Sequence, residues 1–311
     1  MQKRKWRLVA LALCVLAWPS VAMATERLTL MLDWFPNVDH LPLYVAKKQG
    51  FFADAGLTVK IISPSQTSDA LKLAATDKVD LAISYQPQTI IAAARGLDLV
   101  VAGRLVAHPL TTLLFLEGHG IDKPSDLQGK KIGYTVPGLM DVLLEAFARL
   151  NGIETYQAIN VGFNIVASLT AGQVDAVMGP FKTYETVTMR HKGYAVGYFE
   201  LEKHGIPDYD ELLFVCGPAA RKTKAAAIAG FRDAVAQAIR YVRANPEQAL
   251  EDYFSQVPEA ERQTETQAFE LTLPYFAHSQ DHDRQRWQTF ADFAYQYGLI
   301  DKPVDVKNIL P

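Results

Sequence analysis

The sequence predicts an α/β protein with two lobes of similar design. Strand-like apolar runs alternate with helical segments from residue 28 to about residue 216, an order typical of parallel sheets built from βαβ units. A helix end followed by a turn, Val-Asp and an apolar strand occurs twice, at 73–84 and at 169–179. The chain has 311 residues, 49% of them hydrophobic, which is enough for more than one core. We therefore expect two mostly parallel sheets flanked by helices, with a ligand in the cleft between the lobes.

The first 24 residues have the pattern of a secretory signal peptide. Four basic residues precede an apolar run over 8–18, and Ala22-Met23-Ala24 has the small-x-small form of a cleavage site. We expect cleavage after Ala24 and a periplasmic mature protein. No later run approaches the roughly 18 consecutive apolar residues of a membrane span, so membrane insertion is not expected.

Charge and cysteine content exclude several classes of protein. Loss of the four basic leader residues takes the formal net charge from −3 to −7, which disfavours nucleic acid and anionic lipid as partners. Cys216 is then the one remaining cysteine, so the mature chain cannot form an intramolecular disulfide. Because it lies in an apolar strand, we expect a buried, unreactive thiol.

The first strand-helix junction carries the strongest functional signal. An apolar run at 28–32 predicts a strand, and 41–49 has helical spacing with Asp39 as N-cap and Pro42 in the first turn. Between them lies the sequence Asp33-Trp34-Phe35-Pro36-Asn37-Val38-Asp39-His40. Ligands of open parallel sheets bind at the carboxyl ends of strands, so Trp34, Asn37 and His40 should face a crevice.

The remaining elements follow from periodicity and turn signals. Strands are predicted at 58–63, 79–84, 99–106, 130–134, 157–161, 175–179 and 212–216, and helices at 68–76, 88–95, 138–151, 164–171 and 184–192. The tail has no convincing strand, and its predicted helices are 223–244, 246–254 and 283–297.

The repeated unit places two strand ends at one cleft. The first copy ends at Tyr85, and the second at Phe181, followed by Tyr184 and Glu185. We expect the chain to cross between lobes near 108–109 and again within 202–209, because turn-forming residues occur there. The expected divisions are a signal peptide at 1–24, lobe 1 at 25–108, lobe 2 at 109–205, and the rest of lobe 1 with the C-terminal helices at 206–311.

Two motifs give the chain a family resemblance. Residues 33–37 followed by His40 and Leu43-Tyr44-Val45-Ala46 form the first, and Asn160-Val161-Gly162-Phe163-Asn164 with 172–177 and Tyr184-Glu185 the second. They resemble the type II periplasmic binding proteins of ABC importers, in the branch that carries thiamine pyrimidine precursors and is related to fungal pyrimidine synthases. The resemblance implies an aminopyrimidine ligand and permease subunits as partners. We expect a monomer without a cofactor.

The resemblance also implies residue roles. Trp34 would stack on the pyrimidine ring, while Asn37 and Glu185 would bond its ring nitrogens and exocyclic amine. Further wall candidates by position are Tyr85, Phe163, Phe181 and Tyr184. The chain departs from the family where Val38-Asp39 replaces the Thr-Asn of many members, and where Pro180-Phe181-Lys182 replaces a glycine-rich turn.

Three alternatives compete with this reading. A flavin or another flat heteroaromatic would stack equally well on Trp34 and Tyr85. A sulfonate-type anion would need helix N-termini and basic or hydroxyl groups, whereas this site offers Glu185. The family also resembles pyrimidine synthases that consume their own histidine and pyridoxal phosphate, but those carry a cysteine-rich motif that this chain lacks.

One further pair of residues has metal-ligand spacing. His278 and His282 are four residues apart, with Asp281 and Asp283 beside them. The segment shows no third ligand and has the polar composition of a turn, so we expect a solvated loop and no metal site.

Overall fold

The computed structural model describes residues 25–311 and contains two five-stranded sheets with helices around them. The predicted signal peptide and its cleavage site fall on residues 1–24, outside the described residues. The strands are β1 (Glu26–Met31), β2 (Leu57–Ile62), β3 (Leu81–Ser84), β4 (Val100–Val106), β5 (Thr111–Leu116), β6 (Lys131–Tyr134), β7 (Gln157–Asn160), β8 (Ala176–Phe181), β9 (Val196–Glu200) and β10 (Leu212–Cys216).

The helices are distributed along the whole chain, and the longest lie in its C-terminal part. They are α1 (Leu41–Lys48), α2 (Phe51–Asp54), α3 (Asp69–Ala75), α4 (Gln86–Ala94), α5 (Met140–Leu150), α6 (Ile165–Thr170), α7 (Glu185–His191), α8 (Pro218–Thr223), α9 (Ala225–Ala244), α10 (Pro246–Gln256), α11 (Arg262–Thr272) and α12 (Arg284–Gln296). None of the helices in the described part of the chain is both long and apolar enough to cross a membrane.

The two sheets have the same plan. The first has the order β2-β1-β3-β10-β4 and the second β7-β6-β8-β5-β9. In each sheet four strands run in one direction, and the fourth in order, β10 or β5, is antiparallel to both neighbours. This confirms the prediction of two similar α/β lobes. The repeated sequence unit ends in β3 and in β8, which hold the same third position in the two sheets.

Burial explains why these segments form the elements they do. Every residue of β3 and β10 is buried, as expected for short, continuous apolar runs at the centre of a sheet. Helix α9 buries residues three or four positions apart, including Phe231, Val235, Ala238 and Val242, so one stripe faces the core. Cys216 is 1% exposed, and burial raises the pKa of its thiol to about 11, which confirms the prediction of a buried thiol.

The chain passes between the sheets twice. It leaves the first sheet after β4, enters the second at β5, and returns between β9 and β10. Glu211, just before β10, ties the two passages together: its carboxylate accepts hydrogen bonds from the backbone N–H groups of Leu110 and Thr111 and from the Thr111 hydroxyl. The expected boundaries at 108–109 and 205–206 stay predictions.

Several elements were not predicted. Strands β5 and β9 complete the second sheet, and helices α2, α8 and α11 are additional. The expectation of a solvated loop holds for His278, Asp281 and Asp283, which are exposed in a segment without helix or strand. It was wrong for His282, whose side chain is 4% exposed, lies 3.7 Å from a carboxylate oxygen of Asp210, and packs edge-on against Trp287. Asp210 also accepts a hydrogen bond from the indole of Trp287, so the His282 side chain packs against two buried residues.

Candidate functional site

A small cavity lies between the two sheets, at the ends of β1, β3, β6 and β8. Its volume is about 20 Å³, which is close to the space that a single water molecule needs. The first lobe and the second lobe both contribute to its wall. The lining residues are Asp33, Trp34, Asn37, Asp39, His40, Tyr85, Thr135, Ile165, Gly179, Phe181 and Glu185.

Six of the predicted site residues therefore line one cavity: Trp34, Asn37, His40, Tyr85, Phe181 and Glu185. Phe163 and Tyr184 lie outside the lining. What any of these residues contributes to ligand binding stays a prediction at this point.

The first-lobe wall is built by the turn after β1. The Asn37 side-chain oxygen accepts a hydrogen bond from the backbone N–H of Asp39 at 2.9 Å and so caps a 3₁₀ turn over Val38–His40. Helix α1 then begins at Leu41, with Pro42 in its first turn as predicted. The prediction of Asp39 as N-cap was wrong, because Asp39 lies inside the 3₁₀ turn and its carboxylate accepts a hydrogen bond from the Thr272 hydroxyl.

Asp33 organises this wall, although it was not predicted as a site residue. One of its carboxylate oxygens lies 2.9 Å from Nε2 of His40, and the other accepts a hydrogen bond from the Tyr85 hydroxyl at 2.6 Å. Burial and the Asp33 carboxylate raise the pKa of Tyr85 well above its usual range, so the hydroxyl remains a donor. The arrangement fixes both rings at the edge of the cavity.

Asp39 is a buried carboxyl group with one oxygen free. The residue is 1% exposed, and its Oδ1 accepts a hydrogen bond from the Thr272 hydroxyl at 2.9 Å. Its Oδ2 has no hydrogen-bond partner among residues 25–311. Burial is the main cause that raises its pKa to about 7, against the lowering effect of His40.

Glu185 brings a carboxyl group from the second lobe. It is the first residue of α7, and its Oε2 accepts a hydrogen bond from the backbone N–H of Phe181 at 2.7 Å. Burial raises its pKa to about 7, and the negative charges of Asp33 and Glu265 add to the shift. Each of these two carboxyl groups can therefore change its protonation state near neutral pH.

The rest of the second-lobe wall depends on a close backbone approach. Gly179 in β8 has φ +127°, and a Cβ built on it would lie 2.0 Å from Oγ1 of Thr135. Only glycine fits there. The Thr135 carbonyl accepts a hydrogen bond from Thr67 of the first lobe at 2.7 Å, so this side of the cavity is bridged between lobes.

Phe163 and Tyr184 bridge the lobes outside the cavity. The Phe163 ring lies 4.6 Å from Trp34 and 4.5 Å from Phe35, measured between centroids. The Tyr184 hydroxyl donates a hydrogen bond at 2.8 Å to Glu265 of α11, whose other oxygen accepts from the backbone N–H of Val38. Both residues stabilise the approach of one lobe to the other.

The ionisable groups that line the cavity are mostly acidic. Three lining residues carry carboxyl groups, Asp33, Asp39 and Glu185, whereas lysine and arginine are absent from the lining. No cluster of three or more metal-ligating side chains occurs within the described part of the chain. The arrangement can accept hydrogen bonds from a donor-rich or cationic ligand, and Trp34 offers it an aromatic face.

The residues that were missed are those whose role depends on distant neighbours. Asp33 and Asp39 stand in the predicted junction, and their carboxylate chemistry was the available signal. Thr135, Ile165 and Gly179 carry no comparable signal, because a hydroxyl, an aliphatic group and a glycine are common at strand ends.

Sequence relatives cover almost the whole chain. A protein of Haemophilus influenzae named as a thiamine biosynthesis protein is 37% identical over 295 residues, covering 92% of each chain. A formylaminopyrimidine-binding protein of Halalkalibacterium halodurans is 30% identical and covers 94% of this chain and 92% of its own. A 4-amino-5-hydroxymethyl-2-methylpyrimidine phosphate synthase of Saccharomyces cerevisiae is 25% identical, covering 89% and 85%.

Solved structures that share the fold include two named as binding proteins. An alkanesulfonate-binding protein of Xanthomonas axonopodis superposes with a TM-score of 0.72 at 17% identity, covering 92% of this chain and 98% of its own. A periplasmic aliphatic sulphonate-binding protein of Escherichia coli gives 0.67 at 18% identity, covering 91% and 96%. These likenesses establish the periplasmic binding protein fold. The sequence pattern of the NMT1/THI5 like family matches residues 37–249, more than half of the chain, and the chain belongs to that family.

Proposed function

We propose that this protein is a periplasmic solute-binding protein that delivers a thiamine pyrimidine precursor, an aminopyrimidine, to an ABC importer. The observation that carries the proposal is the composition of the interlobe cavity: an aromatic face, Trp34, lies beside carboxyl groups from both lobes, and the lining contains neither lysine nor arginine. An aminopyrimidine has a flat π face and N–H donors on its edge, which are the complements of these groups.

The magnitudes suit a binding protein. Stacking of a base on an aromatic side chain contributes about 1–3 kcal/mol, and a hydrogen bond to a charged group about 1.5–3 kcal/mol. Stacking on Trp34 and a hydrogen bond to Glu185 would together supply a large part of the roughly 8 kcal/mol that corresponds to micromolar affinity.

The relatives support the same ligand class. The Halalkalibacterium halodurans relative is named for binding formylaminopyrimidine, and the Haemophilus influenzae relative for thiamine biosynthesis. The structural neighbours named for sulfonates are under 25% identical, so they support the fold and not the ligand. A sulfonate would place its negative charge against Asp33, Asp39 and Glu185, which repel it.

An enzyme role is supported less well. The yeast relative is named as a synthase, yet the mature chain has a single cysteine, Cys216, which is buried in the first sheet. The cavity lining also offers no lysine for a Schiff base with pyridoxal phosphate. We propose a non-enzymatic protein. Incubation with pyridoxal phosphate should leave its intact mass unchanged, and a mass loss located at a histidine would overturn this part of the proposal.

Binding requires the lobes to move. A cavity of about 20 Å³ has room for about one water molecule, which needs roughly 10–15 Å³ on the same measure, so it is too small for a heteroaromatic ring. The ligand would enter an open form and would be held once Trp34 and Glu185 contact it from opposite lobes. Small-angle scattering should therefore show a smaller radius of gyration at saturating ligand than without ligand, because the unliganded sample contains open molecules.

The deciding experiment is a ligand panel read by thermal shift and titration calorimetry. It contains formylaminopyrimidine, 4-amino-5-hydroxymethyl-2-methylpyrimidine, riboflavin and an alkanesulfonate. We expect at least one of the two pyrimidines to raise the melting temperature, and riboflavin and the sulfonate to leave it unchanged. A ligand that binds the native state stabilises it by mass action. Stabilisation by riboflavin or by the sulfonate alone would contradict the proposed ligand.

Export and assembly complete the proposal. The secreted protein should begin at Thr25 and be a monomer, with a permease as its partner. Intact mass and size-exclusion light scattering of the secreted form test both points, and a product that retains residues 1–24 would contradict the export.

A further inference from the structure

We propose that Asp39 binds a second hydrogen-bond donor of the ligand, separate from the donor that Glu185 binds, so that the site selects heteroaromatic amines with donors on two edges. This inference rests on the proposed function and narrows it.

The first step is the geometry of Asp39. Its Oδ1 is used by the fold, in the hydrogen bond from the Thr272 hydroxyl at 2.9 Å. Its Oδ2 has no partner within the described residues, although the residue lines the cavity and is 1% exposed. An unpaired carboxylate oxygen in such a place costs folding free energy unless a donor reaches it. A ligand N–H or O–H in the cavity is the available donor.

The second step is the position of the other carboxylates. Asp33 already accepts from the Tyr85 hydroxyl with one oxygen and contacts His40 with the other, so both of its oxygens are engaged within the first lobe. Glu185 accepts from the Phe181 backbone N–H through Oε2 and belongs to the opposite lobe. Asp39 and Glu185 therefore face the cavity from different lobes, and we assign a separate donor group of the ligand to each.

The third step is charge. His40 is adjacent to Asp39, while Glu185 and Glu265 are near enough to disfavour its ionisation. A ligand donor that binds Oδ2 favours the ionised form and so offsets part of the cost of this repulsion. A ligand that presents an acceptor at this position would meet a carboxylate and would be rejected. Asp39 is thus a determinant of specificity as well as of affinity.

The test is a cycle between protein variants and ligand analogues. The probes are formylaminopyrimidine, its analogue methylated at the formamide nitrogen, and its analogue with methoxy in place of the ring amine. Each change removes one donor group, the formamide N–H or the ring amine. Titration calorimetry is run with the wild type, Asp39→Leu and Glu185→Gln. In the wild type, we expect each analogue to bind about tenfold or more weakly than the parent.

The expected pattern is selective loss of sensitivity. Asp39→Leu should bind the parent about tenfold or more weakly and should no longer distinguish it from one of the two analogues. Glu185→Gln should lose its sensitivity to the other analogue. If Asp39→Leu keeps the full sensitivity to both changes, or if both variants respond to the same donor, Asp39 does not bind a second donor.

Two more variants separate recognition from folding. Asp39→Asn keeps the shape and an acceptor but removes the charge, so the loss of affinity on removing the second donor of the ligand should shrink at least twofold. An unchanged loss would overturn the role of Asp39. This variant decides the question if Asp39→Leu does not fold. Thr272→Val removes the bond to Oδ1 and leaves Oδ2 in place. If it reproduces the whole loss of Asp39→Leu, Asp39 acts only through the fold.

The failure of the proposed ligand gives a different result. Adenine, cytosine and 2-aminopyridine are titrated beside the pyrimidines. If only one of these binds and Asp39→Leu weakens it, the aminopyrimidine proposal fails and the role of Asp39 stands. If the wild type binds only a ligand without N–H or O–H donors, and Asp39→Leu binds it equally well, both proposals fail.

Discussion

β3 and β8 hold the same position in their sheets, but the residues that follow them bring different chemistry to the cavity. After β3, the Tyr85 hydroxyl is already bonded to Asp33 within the first lobe. After β8, Glu185 accepts from one backbone N–H and remains directed at the cavity. The same position in the two sheets is thus followed in one lobe by a hydroxyl that is already hydrogen-bonded, and in the other by a carboxyl group that can still accept a hydrogen bond from a ligand.

The largest expected effect tests the aromatic part of the first-lobe wall. Trp34→Ala should weaken binding of the pyrimidine by about ten- to a hundredfold, because roughly 1–3 kcal/mol of stacking is lost. Titration calorimetry measures the change. Phe163→Ala is the matched control, since that ring contacts Trp34 from outside the cavity, and it should cost much less. Equal losses in the two variants would show that Trp34 acts through lobe packing.

The next effect tests the acceptor of the second-lobe wall. Glu185→Gln keeps the shape of the side chain and should weaken binding by about tenfold or more, because a charged acceptor is replaced by a neutral one. The melting temperature of the empty protein should not fall. Glu259→Gln makes the same change of charge at an exposed residue outside the cavity and should bind normally. A similar loss in both variants would indicate a general charge effect.

The pH dependence should separate binding from folding. The folded-state pKa of Glu185 is raised to about 7 from an ordinary value of 4.5. Its contribution to stability is therefore fully present below pH 4.5 and is lost as the pH rises through about 7. Binding changes in the opposite direction, since a protonated carboxyl accepts a hydrogen bond more weakly.

We accordingly expect affinity to fall by up to about tenfold per pH unit below pH 7 for each carboxyl group that must ionise. Calorimetry from pH 5.5 to 8 checks this, with correction for ionisation of the ligand. The dependence should become shallower in Glu185→Gln. An unchanged profile in that variant would assign the titration to another group.

The smallest effect on affinity is expected at Tyr85, whose hydroxyl is already hydrogen-bonded to Asp33 within the first lobe. Tyr85→Phe removes the hydrogen bond to Asp33 and should lower the free energy of unfolding by about 1–3 kcal/mol, while affinity falls only about threefold. Urea denaturation measures the first quantity. Tyr295→Phe, at a half-exposed ring, should change neither. If Tyr85→Phe instead abolishes binding at full stability, the hydroxyl contacts the ligand directly.

Much of the fold could be predicted because local patterns and the global arrangement agree. The continuous apolar runs of β3 and β10 and the two copies of the repeated unit each specify a strand at a sheet centre. β5 and β9 were missed because each is defined by pairing with strands remote in the sequence: Thr111–Leu116 lies between β8 and Val196–Glu200. Helix α11 was missed although its polar face contacts the turn after β1 through Glu265.

The site could be located from the sequence but not completed. The ends of the first and eighth strands identify Trp34 and Glu185 as neighbours of a cleft. The state of Asp39 could not be predicted, because its burial depends on Thr272, 233 residues away. Which of two adjacent side chains faces inward is also a tertiary property: Glu185 lines the cavity, whereas Tyr184 turns to Glu265.

The two passages of the chain between the sheets have a consequence for the order in which the sheets fold. The second sheet is made from one continuous stretch, Thr111 to Glu200, whereas β4 of the first sheet pairs only with β10. The first sheet therefore cannot be completed until residue 216 is available. In a chain that emerges from its N-terminus, the second lobe can fold as a unit while the first waits. The cavity, whose walls come from both sheets, is then complete only after β10 has joined the first sheet.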